Sequence, residues 1–186
     1  MTRLFFGLAS IALVACNTAP PERAAPADII YEPEATDEAW LTIDDASPTV
    51  DDVRAPSLTM PTGPVNRTGP APAFIWNGGA VAGAMVLAPA RRGFFEVVSA
   101  ELFPVAHAHE PPVTGAMYGL LFDLGAMAPV RVLTGSTSYT PDAPTWARIT
   151  ASTVPVTLEI TGTYLNTGRI EQGPYVRTTP ASVTLR

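Results

Sequence analysis

The chain has no lysine, one cysteine and two histidines among its 186 residues. Each scarcity removes a class of chemistry. Cys16 is the only thiol, so no intramolecular disulfide can form. His107 and His109 are the only imidazoles and must carry any histidine-dependent proton or metal chemistry between them. There is no phosphate-binding loop, no dinucleotide glycine fingerprint, no G-x-S-x-G nucleophile elbow and no aspartate-rich calcium loop. All eleven basic residues are arginines, against seventeen acids, and they form no basic stripe of the kind nucleic acid requires.

The N-terminus carries the parts of an export signal. Arg3 is a short positive region, and Leu4 to Val14 is apolar apart from Gly7 and Ser10. At about eleven residues this run suits a signal peptide and falls short of the ~18 that span a bilayer. It ends Leu13-Val14-Ala15-Cys16, which resembles the lipobox of bacterial lipoproteins. That resemblance implies removal of residues 1–15 and lipid on the Cys16 thiol, with several acyl chains giving stable membrane attachment. It places the chain in the cell envelope. In a Gram-negative cell, Asn17 favours the outer membrane over the inner, because it is not the aspartate associated with inner-membrane retention.

The rest of the chain divides by composition. Residues 17–70 hold ten acids, three arginines and nine prolines, with apolar residues scattered singly. Such a segment reads as disordered, since it buries too little surface to offset its chain entropy. As a flexible coil it would span roughly 40 Å, and more if charge repulsion and proline extend it. Residues 16–70 are therefore expected to be a lipidated, acidic, proline-rich linker. Within it, Trp40, Leu41 and Ile43 form an apolar cluster between Asp37-Glu38 and Asp44-Asp45. That pattern suits either a partner-docking motif, including a strand added to a sheet edge, or an incidental apolar patch.

Residues 71–186 carry seven acids and seven arginines and are rich in Val, Leu, Thr and aromatics. Val154, Val156, Leu158 and Ile160 alternate with Thr157, Glu159 and Thr161, as in a half-buried strand. Residues 116–124 are apolar on nearly both faces, as in a central strand. Further strands are expected near 80–88, 94–103, 130–134, 146–151, 175–178 and 182–185, separated by Gly-, Pro- and Asn-containing turns. Although residues 71–90 are largely apolar, Pro72, Asn77-Gly78-Gly79, Gly83 and Pro89 interrupt them, which argues against a membrane span. The expectation is an all-β domain over 71–186, a single β-sandwich of jelly-roll or Ig-like type.

Two constellations could carry chemistry. In His107-Ala108-His109-Glu110 an extended backbone puts both imidazoles on one face, where they could share a transition metal. Glu110 joins them if the chain turns at Pro111-Pro112, and Asp123 or Asp142 are alternative carboxylates. The competing reading is a polar loop with no metal and no cofactor. In Gly135 to Trp146, Tyr139 and Trp146 offer flat apolar faces and Asp142 a hydrogen-bonding group, a mixture that suits a sugar ring. The alternative is that Trp146 packs into the core with Tyr139 capping it.

The order of Asn77-Gly78-Gly79, Gly83-Ala84-Met85, Glu96 to Ser99, Tyr118 to Asp123, Trp146, Pro155-Val156 and Gly162-Thr163-Tyr164 resembles the accessory β-sandwich modules of bacterial surface proteins. Such modules bind glycans, bind proteins or act as spacers, so the resemblance implies a fold and no site residues. The expected function is a non-catalytic binding or adhesion module held to a membrane through Cys16. The alternatives are an envelope-assembly lipoprotein docking a protein partner, or a small metal-dependent enzyme using His107 and His109.

Overall fold

The alternation from residue 156 onward builds an 11-residue strand, Val156–Asn166, in which Val156, Leu158 and Ile160 are buried. Around it, the computed structural model describes residues 28–83 and 112–186. In chain order these form β1 (Ile29–Tyr31), α1 (Asp37–Asp44), β2 (Thr49–Val50), β3 (Ser57–Met60), β4 (Phe74–Asn77), α2 (Gly79–Ala82), β5 (Gly115–Asp123), β6 (Val130–Thr134), β7 (Ser138–Tyr139), α3 (Ala143–Thr150), β8 (Val156–Asn166), β9 (Arg169–Val176) and β10 (Ala181–Val183).

The strands make two sheets, one of seven strands in the order β1-β6-β5-β8-β9-β2 with β10 also on β8, and one of three strands, β3-β4-β7. β8 pairs with β5 along its length, from Thr157 opposite Asp123 to Leu165 opposite Gly115. Its other edge is shared, Val156 to Leu158 taking β10 and Gly162 to Asn166 taking β9. Thr167 and Gly168 close the β8–β9 hairpin with φ of 51° and 72°, the positive values a two-residue hairpin loop demands.

The inner face of the large sheet packs on the small one. Phe74 meets Phe122 edge-on at 5.1 Å between ring centroids, and Trp76 meets Tyr118 at 5.6 Å. Tyr139 of β7 and Trp146 and Ile149 of α3 complete this core. Gly162 lets the layers close, because a Cβ there would lie 2.7 Å from Pro56 Cγ and 3.2 Å from Val81 Cγ2. The protein is thus an all-β fold of two packed sheets with short helices at its margins.

A second cluster lies on the outer face of the large sheet. Met117, Leu133 and Leu165 are covered there by Ala39 and Ile43 of α1 and by Ile29. The chain from 28 to 51 is a strap. β1 pairs parallel with β6 at one edge, α1 crosses the outer face, and β2 pairs parallel with β9 at the other edge.

Several expectations are corrected. The linker expected over 16–70 is folded from residue 28 onward, since β1, α1, β2 and β3 all lie within it. Its scattered apolar residues gain burial only against strands far along the chain, which local composition does not register. The Val65 N–H donates to the Thr184 carbonyl and the Val65 carbonyl accepts from the Arg186 N–H, while the Arg67 guanidinium donates to the carbonyls of Thr150 and Ser152 at 2.7 Å each. The strand expected at 146–151 is helical, because Asp142 caps it and Pro144 stands in its first turn. Residues 80–82, expected to open a strand, belong to a short helix over Gly79–Ala82, and residues 84–88 and 94–103 of those expectations lie outside the described residues. Val154 is exposed rather than inward-facing, the strand beginning only after Pro155, which lacks the N–H a ladder needs.

Candidate functional site

Beside α1, part of the outer face of the large sheet is uncovered and forms a groove of about 230 Å³. Strand register dictates its floor. Arg131, Leu121 and Glu159 stand side by side on β6, β5 and β8, and Leu133, Gly119 and Thr161 form the neighbouring row. Adjacent strands are ~4.8 Å apart, so Arg131 and Glu159 flank Leu121 at about 10 Å from each other at the backbone. Leu133 is buried under the strap, whereas Leu121, Gly119, Glu159 and Thr161 remain half-exposed. Trp40, Ile43 and Asp44 of α1 form one wall.

α1 is held in place from both ends. The Ala39 N–H donates to Thr36 Oγ1 at 3.1 Å, and Asp37 and Glu38 lie in the first turn, where the helix dipole favours acids. Towards its other end Thr42 Oγ1 donates to the Gly168 carbonyl at 3.4 Å. At the opposite side of the groove Arg131 Nη1 pairs with Asp28 Oδ2 at 2.7 Å. The Glu159 side chain has no hydrogen bond or ion pair among the described residues.

The expected docking residues are therefore partly assembled here. Trp40 and Ile43 line the groove, and Leu41 is half-buried on the same helix. They stand on a helix, not on a strand added to an edge. The expected sugar-stacking pair is not available, since Tyr139 is 4% exposed and Trp146 6% exposed, both packed in the main core. Trp146 Nε1 donates to the Gly69 carbonyl at 3.1 Å, and burial raises the Tyr139 phenol to about 12. Asp142 Oδ1 accepts from the Thr145 N–H at 2.9 Å, and its hydrogen bonds with Thr145 hold the carboxyl below its ordinary value. It is the cap of α3.

His107, His109 and Glu110 lie outside the described residues, as does Cys16. Asp123 Oδ1 accepts from the Gly125 N–H at 2.9 Å and serves the turn after β5. Among the described residues no group of three metal-ligating side chains comes together, and no helix is long and apolar enough to cross a membrane.

Sequence reasoning did not single out Arg131, Leu121, Glu159 or Gly119. The outward direction of Glu159 is legible in the β8 alternation, but their alignment needs the register of three strands. No protein-family model matches the chain, and neither a curated protein nor a solved structure matches it.

Proposed function

We propose that the chain is a lipid-anchored, non-catalytic binding module of a bacterial envelope, with the outer-face groove beside α1 as its binding surface. The lipobox-like Leu13-Val14-Ala15-Cys16 supports the anchor. The observation that carries the binding role is the groove itself, where Leu121 and the Trp40–Ile43 wall meet charged side chains from two strands and a helix. Concave, largely apolar surfaces with a few convergent polar groups are the usual form of a recognition site. Burial of Tyr139 and Trp146 favours docking of a partner at α1 over stacking of a sugar at 135–146.

The test is a photo-reactive side chain at position 121 in living cells, with position 53, which is 91% exposed and outside the groove, as the control. A discrete adduct from position 121 alone supports the reading. The same pattern from both positions, or none from 121, removes it. Cys16→Ser in the same cells is expected to release the protein from the membrane fraction.

A further inference from the structure

Resting on the reading that the groove is a binding surface, we infer that its occupant is a basic side chain, arginine or lysine, presented by an extended polypeptide partner. Charge decides the sign. Within the lining, the one guanidinium, Arg131, is already paired with Asp28 at 2.7 Å, while Glu159 carries a carboxylate with no partner among the described residues. Asp44 in the wall has a partner of its own, so the charge that counts is that of Glu159. The strap behind that wall, residues 28–45, holds seven acids and no arginine. An anionic ligand would have to displace Asp28 from Arg131 and then sit beside Glu159 and Asp44. A cation meets opposite charge at Glu159 without displacing a partner of that carboxylate among the described residues.

Shape decides the class. About 230 Å³ is smaller than the ~300–1,000 Å³ typical of small-molecule pockets and suits one long side chain as an anchor. Gly119 leaves the floor open, since a Cβ there would meet only Thr161 Cβ, at 3.9 Å. Trp40 in the wall and Glu159 across the floor supply the two things a guanidinium or ammonium uses, an aromatic surface and a carboxylate. Leu121 and Ile43 suit apolar residues on either side of that cation.

The experiment titrates the full-length chain, in detergent, with fluorescein-labelled pentapeptides of leucine carrying arginine, glutamine or glutamate at the centre. Fluorescence anisotropy should show the arginine peptide binding about tenfold more tightly than the glutamine peptide, with the glutamate peptide weakest. Glu159→Gln should abolish the difference between arginine and glutamine, and added salt should narrow it. Gly119→Leu, which fills the floor, should weaken all three. Equal binding of arginine and glutamine peptides, or no binding of the arginine peptide, overturns the inference. The cross-link at position 121 decides separately whether the groove binds anything.

Discussion

Phe122 has no exposed surface and stands between Phe74 and Tyr139, with centroids 5.1 and 6.4 Å away. Phe122→Ala should therefore cost about 3–5 kcal/mol, read as a lower urea midpoint. Tyr139 makes the same core sensitive to alkali. Burial, the largest effect, raises its phenol from 10.0 to about 12, so folding favours the protonated form. The associated stability is complete below pH 10 and is lost as pH rises towards 12, because the unfolded chain ionises first. Tyr139→Phe should lessen the fall in urea midpoint over that interval. Asp142 works in the opposite sense. Its lowered carboxyl supports α3 above the ordinary value of 3.8, and that support disappears as pH falls below it. At this scale the sequence was ambiguous rather than silent. An aspartate, a proline two residues later and apolar residues at 146 and 149 also spell a capped helix, yet the same Tyr, Asp and Trp read equally well as a sugar site.

Among the elements, strands with strict alternation were the most legible. Val156, Leu158 and Ile160 do bury one face of β8, and 130–134 is a strand with the expected bounds. α1 was not legible, because eight residues are too few to show convincing helical periodicity and too few to be stable alone. Its buried pair, Ala39 and Ile43, makes sense only over Met117, Leu133 and Leu165. The cap should therefore matter. Thr36→Ala is expected to destabilise by about 1 kcal/mol in urea unfolding, since the Ala39 N–H loses its acceptor. The groove was illegible for a related reason, as its floor draws residues between 119 and 161 from three strands whose neighbours are set by cross-strand register.

For the whole molecule the strap changes what residues 28–51 are for. A linker could be shortened without effect on the domain it carries. Here a chain lacking residues 28–50 is expected to show a lower thermal midpoint and to bind a hydrophobic dye. Met117, Leu133 and Leu165 would lose their cover, and β6 and β9 would each become a bare edge. An unchanged midpoint would show that the strap contributes nothing. Composition could not reveal this role, because the seven acids over 28–45 fold only with the other face of the segment seated on strands far along the same chain.

Both strap pairings join distant parts of the chain. Ile29 lies against Arg131, and Val50 against Val176, each across more than a hundred residues. Contacts of that span close late, because the intervening loop must be ordered before they return anything. The strap is thus made before the strands it must wait for, each more than a hundred residues further along. Until β9 is complete the strap has no second edge to grip, and a chain cut short before residue 169 would keep β6 for β1 but leave β2 without a strand to pair with.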